Sequence, residues 1–176
     1  MSIVQANASA SPIPAGTSIL IIDDLQDNID VLSRRFQNRG VNVFEANDGP
    51  DALQLLGVTP VDVILCDVMM PGMSGLEVVK KIRSKRSAAA LPIIMVSART
   101  DQAMIVDCLQ AGANDYVTKP VDFAVVCARV YAQLVIRDTY KAALADRSKQ
   151  IRNAEEARAE LEDMRQEIAR MQAKAG

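Results

Sequence analysis

Five short β-rich runs alternate with stretches of helical spacing, and this alternation restricts the fold more than any other feature of the chain. The runs are "SILII", "VNVFEA", "VDVILC", "LPIIMVSA" and "DYVT". Between them, "DNIDVLSRRFQNRG" sets Ile29, Leu32 and Phe36 at helical intervals and ends at Gly40, the expected C-cap. "GPDALQLLG" carries Pro50 near its start, where proline suits a helix. "GLEVVKKIRSK" places Leu76, Val79 and Ile82 on one side, and "DQAMIVDCLQAGA" reads as a fourth helix. From Asp122 onward the pattern is helical, with no Pro or Gly before Gly176. Strands separated by helices need right-handed crossovers, which produce a parallel sheet covered on both faces. The expectation is a doubly wound α/β domain with a five-stranded parallel sheet over residues 18–137. A small, polar, disordered segment over 1–17 precedes it and a helical extension over 138–176 follows.

With 49% hydrophobic residues in 176, the chain can build a substantial core. A net charge of −2 argues against non-specific binding to nucleic acid or an anionic membrane. No apolar run approaches a membrane span. The N-terminus lacks the basic start and apolar stretch of a signal peptide, so a cytoplasmic location is expected. Cys66, Cys108 and Cys127 are odd in number and sit in apolar contexts, which reads as reduced core thiols. The chain has no histidine, which excludes His-based catalytic triads and His-based metal sites. Any chemistry must run on carboxylates, hydroxyls, lysine and a bound cation.

In doubly wound sheets, ligands sit at the carboxyl ends of the strands, near the switch in strand order. The first run ends in Asp23-Asp24, the third in Asp67, the fourth in Ser97, and the fifth leads into Thr118-Lys119-Pro120. Three carboxylates brought together repel, and a hard cation such as Mg²⁺ relieves this with water, carbonyl or phosphate oxygens completing its shell. A lysine and a hydroxyl opposite the cation could hold the other oxygens of a phosphoryl group. The set is suited to transfer of a phosphoryl group onto a carboxylate. Each residue also has a plainer reading. Asp23-Asp24 suit turn and N-cap carboxylates for a helix beginning near Gln26. Ser97 suits a strand-end polar residue, Lys119 a solvated loop lysine, and Met69 and Met70 packing alone.

The stretches "ILIIDD", "VDVILCDVMMPGMSGLEVV", "LPIIMVSA" and "AGANDYVTKP" resemble the receiver domains of two-component response regulators, in order and over about two-thirds of the chain. The resemblance implies a flavodoxin-like fold and assigns roles by position. Asp67 becomes the phosphoacceptor. Asp24 and Asp67 become direct Mg²⁺ ligands, with the backbone carbonyl of Met69 as a third and Asp23 acting through water. Ser97 and Lys119 would contact phosphoryl oxygens, and Tyr116 would be the switch aromatic that turns inward when Ser97 moves. Met69 and Arg99 would sit where the family tunes phosphoryl lifetime, and a cis Lys119–Pro120 bond is expected. The partner implied is a histidine kinase or phosphotransfer protein, and the chain itself is not expected to be an enzyme beyond self-phosphorylation and autodephosphorylation.

The final helical stretch outruns what a receiver needs. As one helix, residues 130–175 would span about 70 Å. Ala154, Ala157, Leu161, Met164, Ile168, Met171 and Ala175 recur at alternating intervals of three and four, a heptad seam. Leu144 and Ile151 fall out of register with it, and Ile151, Ala154 and Ala157 form a stammer. With Ala154 at position a, Glu160 falls at g and Arg165 at e of the next heptad, opposite charges in a parallel pair. A parallel homodimer through residues 154–175 is expected, a coiled coil carrying the phosphorylation state to an output domain outside this chain. Two alternatives stand beside it: a single charged helix held by pairs such as Glu155–Arg158 and Glu162–Arg165, and a complete adaptor whose coiled coil binds another protein.

Overall fold

A computed structural model describes residues 13–175. The elements run β1 (Ser18–Ile22), α1 (Gln26–Gln37), β2 (Asn42–Ala46), α2 (Gly49–Val58), β3 (Val63–Asp67), α3 (Gly75–Arg83), β4 (Ile93–Ser97), α4 (Gln102–Gln110), β5 (Asp115–Thr118) and α5 (Phe123–Ala175). All strand pairings are parallel, in the order β2-β1-β3-β4-β5. This is the expected doubly wound five-stranded sheet, with a long C-terminal helix.

The two-residue period of a strand divides the sheet into two apolar layers. Leu20, Ile22, Ile64, Cys66, Ile93 and Met95 face one way and pack under α2, α3 and α4. Ile19, Ile21, Val63, Leu65, Ile94 and Val96 face the other way and pack under α1 and α5. The central strands β3 and β4 are buried at every residue, as a sheet covered on both faces requires. Cys66, Cys108 and Cys127 are free and buried, as expected of core thiols.

The helix starts follow local chemistry. Asp48 caps α2 by accepting from the Asp51 N–H at 2.8 Å. Ser74 and Glu77 form a capping box at α3. Asp122 Oδ1 accepts from the Ala124 N–H at 2.8 Å as α5 begins. Gln26 starts α1 as expected, but the helix closes at Gln37 with Asn38 as its C-cap. Gly40 sits beyond the end at φ 74°, donating its N–H to the Gln37 carbonyl at 2.9 Å.

The chain divides into two units, Met1–Arg137 and Asp138–Gly176. In the first, α5 buries Phe123, Val126, Cys127, Val130 and Leu134, one helical stripe against the sheet. Arg137, nearly buried, pairs with Asp62 at 2.6 Å, and the other Asp62 oxygen accepts from the Ser18 N–H at 2.9 Å. The expectation of disorder over 1–17 fails for residues 13–17. Ile13 is buried in the α1–α5 layer, Gly16 donates to the Gly40 carbonyl at 2.8 Å, and the Thr17 hydroxyl donates to the Pro14 carbonyl at 2.7 Å. An apolar side chain beside an open helix–sheet seam has somewhere to go, which a polar composition conceals. Residues 1–12 of that segment lie outside the described residues.

In the second unit the chain is helical, and from Lys141 to Ala173 every described side chain is exposed. Arg165 and Glu162 approach to 4.0 Å, an i,i+3 pair, and Gln150 donates to Asp146 at 3.1 Å. No helix among the described residues is long and apolar enough to cross a membrane.

Candidate functional site

The strand order reverses direction between β1 and β3, and the carboxyl ends of these two strands flank the crevice. Asp23 follows β1 and Asp67 ends β3, both nearly buried. Lys119, from the loop after β5, bridges them: its Nζ lies 2.7 Å from Asp23 Oδ2 and 2.9 Å from Asp67 Oδ1. The remaining oxygens are engaged as well. Asp67 Oδ2 accepts from the Met69 N–H at 2.9 Å. Asp23 Oδ1 accepts from the Leu25 N–H at 3.1 Å and from Asn28 Nδ2 at 2.8 Å. Asp24 is half-buried and differs from both: its carboxylate forms no hydrogen bond or ion pair among the described residues.

The electrostatics follow from this arrangement. Burial pushes the Asp67 carboxyl above the ordinary carboxylate range; Lys119 and the Met69 N–H oppose the rise, and the Asp23 charge adds to it. Burial works against the Lys119 ammonium, but its two carboxylate partners outweigh it and hold its pKa above the usual lysine value. The site is an acidic pair held together by one shared cation.

Ser97 ends β4 fully buried, its hydroxyl accepting from the Arg99 N–H at 3.2 Å and its carbonyl accepting from the Lys119 N–H at 2.7 Å. The second bond ties the end of β4 to the loop that carries Lys119. Tyr116 is buried, and its hydroxyl donates to the Arg99 carbonyl at 2.8 Å. Burial raises its phenol pKa. The Arg99 side chain points elsewhere, to Asp101 at 2.8 Å. The Lys119–Pro120 peptide is cis.

The loop after Asp67 is shaped by close approach. A Cβ on Gly75 would collide with the Asp67 carbonyl, so only glycine lets α3 begin there. Gly72 turns at φ 75°. Met70 is a core residue, in keeping with the packing reading, but Met69 is 54% exposed and is not. The other plain readings hold in part. Asp23 does serve the turn into α1, whereas Lys119 is paired rather than solvated. Sequence reasoning missed Asn28, which braces Asp23 from the first turn of α1, and the Arg99 carbonyl, which receives Tyr116. An amide on the helix face toward the preceding strand end was the available signal for Asn28; a backbone carbonyl leaves none.

A cleft of about 240 Å³ opens on the cluster between α1 and the Lys119 loop, lined by Asp23, Val31, Arg35, Lys119 and Pro120 among others. The donor set suits a hard cation in chemistry. Asp24 offers an unengaged carboxylate, Asp67 a second, and the Met69 carbonyl is on the adjoining loop. Among the described residues no group of three or more acidic, His or Cys side chains could hold an ion alone, so water must complete any shell, as Mg²⁺ prefers.

Fold, strand-end acids and the bridging lysine define a receiver of the CheY-like type. The response regulator receiver domain family matches residues 19–131, and the chain belongs to that family. It is 39% identical over 118 residues to the sensory transduction protein RegX3 of Mycobacterium tuberculosis, covering 67% of this chain and 51% of that one. It is 35% identical over 112 residues to the response regulator PleD of Caulobacter vibrioides, covering 64% of this chain and 25% of that one. The chain thus spans between a quarter and a half of these relatives. Among solved structures, the receiver domain of Francisella response regulator 1452 superposes with a TM-score of 0.63 at 28% identity, covering 68% of this chain and 97% of that one.

Proposed function

We propose that the chain accepts a phosphoryl group on Asp67 from a histidine kinase or phosphotransfer protein. The observation that carries this reading is the Lys119 ammonium shared between Asp23 and Asp67 at the mouth of a cleft. Asp67 Oδ1 attacks the phosphorus of a partner phosphohistidine. The O–P bond forms as the P–N bond breaks, and the imidazole leaves with the electron pair. Lys119 then turns its ammonium from carboxylate to phosphoryl oxygens, and the Met69 N–H keeps the other Asp67 oxygen aimed. Asp24, Asp67 and the Met69 carbonyl would hold Mg²⁺, with Asp23 acting through water. The cation supplies charge neutralisation for the phosphoryl oxygens. Ser97 contacts the phosphoryl group and Tyr116 reports its position to the surface of α4 and β5.

The second unit carries the output as a parallel coiled coil in the cytoplasm. Leu161, Met164, Ile168 and Met171 are each at least half exposed in the single chain, a seam awaiting a second helix. Glu160 meets Arg165 of the partner copy across a parallel pair, whereas antiparallel pairing sets Arg158 against Arg165. Incubation with a phosphorylated histidine phosphotransfer protein and Mg²⁺ tests the acceptor. Acid-stable, hydroxylamine-labile phosphate on Asp67 is expected, and phosphate on any other residue overturns the assignment.

A further inference from the structure

Three cations rim an apolar groove at the edge of the domain remote from Asp67. Helices α2 and α3 begin at Gly49 and Gly75, just after the carboxyl ends of β2 and β3, and run back along the sheet. Their last turns therefore lie at the opposite edge, and a groove of about 430 Å³ separates them. Leu53, Leu56 and Ile82 form its floor, and Lys81, Lys85 and Arg86 its rim. Arg86 donates to the Leu56 carbonyl at 3.0 Å, which joins the two walls.

The charge here is unbalanced. Lys80, Lys81, Arg83, Lys85 and Arg86 fall within seven residues that contain no acid, in a chain of net charge −2. Several cations elsewhere in the domain have acidic partners: Arg99 has Asp101, Arg129 has Asp115, Lys119 has Asp23 and Asp67, Arg137 has Asp62. Lys81 and Lys85 are exposed and form no ion pair among the described residues. The helix dipole accounts for cations in the last turn of α3. It does not account for Lys85 and Arg86, which lie past the helix, nor for the apolar floor between them. Val58, next to the groove, is 84% exposed.

We propose that this groove docks an acidic amphipathic helix of a partner protein, whether or not Asp67 is phosphorylated. Apolar residues at i, i+3 and i+4 of such a helix fill the floor, and the acids flanking them meet Lys81, Lys85 and Arg86. The floor is aliphatic and offers no aromatic platform for stacked bases, so a nucleic acid is the poorer occupant. A bilayer surface does not enter a groove. Occupancy at this edge leaves the Asp67 cleft open, so the docked partner and the phosphodonor bind together. The inference goes beyond the phosphoacceptor reading and does not depend on it.

The test is a titration of the ¹⁵N-labelled full chain with a synthetic Leu/Glu amphipathic helix of about 20 residues. Saturable amide shifts centred on Leu53, Leu56 and Ile82 are expected. Lys81→Gln with Lys85→Glu should weaken binding about tenfold while lowering the thermal midpoint only slightly, since Lys81 also serves the C-terminal end of α3. Affinity should be the same with and without acetyl phosphate and Mg²⁺. No saturable shift at the groove overturns the proposal, as does an equal response to a scrambled peptide, a Leu/Lys peptide, anionic vesicles or duplex DNA. An affinity that changes with phosphorylation overturns its independence from Asp67.

Discussion

The two units answer the same periodic signal in opposite ways. In the first, helical stripes such as Ile29–Leu32–Phe36 and Val126–Val130 are buried by the chain's own sheet. In the second, the stripe Leu161–Met164–Ile168–Met171 is exposed throughout. An amphipathic pattern states that a face needs covering and does not state by what. Where strands alternate with helices, the cover is intramolecular; in the tail no described residue covers the stripe, and the proposed coiled coil would cover it with a second helix. The charges divide in the same manner. The first unit concentrates Asp23, Asp67 and Lys119 into a nearly buried triad, while the second disperses its acids and bases over a solvated helix.

The largest expected difference is chemical. Asp67→Asn should remove all phosphate incorporation from a phosphotransfer partner, while Leu161→Ala should leave it untouched. Persisting incorporation in a folded Asp67→Asn chain would refute the acceptor.

Stability should separate the units next. Ile64 is fully buried, and Ile64→Ala should cost about 2–5 kcal/mol in urea unfolding. Ile168→Ala should change the receiver's midpoint by less than about 0.5 kcal/mol yet lower the mass found by light scattering. A receiver destabilised by Ile168→Ala, or a mass indifferent to it, contradicts a seam that serves only a second copy.

The adjacent acids should separate in turn. Asp24→Ala removes a carboxylate with no partner among the described residues and should weaken Mg²⁺ binding strongly with little loss of stability. Asp23→Ala strips partners from Lys119, Asn28 and the Leu25 N–H and should lower the thermal midpoint of the metal-free chain more than it weakens Mg²⁺. Calorimetric titration and metal-free melts read the two effects, and the reverse order would exchange the roles.

The smallest effect is a pH dependence confined to the first unit. Folded Asp67 has its pKa raised by burial, so it keeps its proton where the unfolded chain has released one. Stability should therefore fall as pH climbs from the ordinary carboxylate range through the raised one. Asp67→Asn should flatten that fall. Lys119 works at the alkaline end: its raised pKa contributes stability below the ordinary lysine range and loses it as pH passes the folded value. Melting curves across pH, for the parent and Asp67→Asn, distinguish the two windows. A slope in the acidic window that survives Asp67→Asn would assign it to another carboxylate.

Much of this was legible in the chain, for a physical reason. A period of two marks a strand face and a period near three and a half a helix face, and both are local properties of a few residues. Five such alternations leave few topologies, so the strand ends, and with them Asp23, Asp24, Asp67, Ser97 and Lys119, could be brought to one edge before any coordinates. Ile13 was not legible, because a single apolar residue in a polar segment has no period. The contact of the Tyr116 hydroxyl was not legible either, because its partner is a backbone carbonyl that no side-chain pattern announces.

The sequence by itself determined the alternating fold, the acids at its edge and the exposed seam of the tail, since each depends on spacing along one element. Only the tertiary structure decided which acids pair with the lysine. Asp23 and Asp24 are neighbours in sequence, yet Asp23 faces Lys119, 96 residues away, and Asp24 has no partner among the described residues. That choice rests on the direction in which the chain leaves β1 and on where the β5 loop delivers its lysine. The cationic groove between α2 and α3 was likewise beyond sequence reading, because a concavity exists only once two helices are laid side by side.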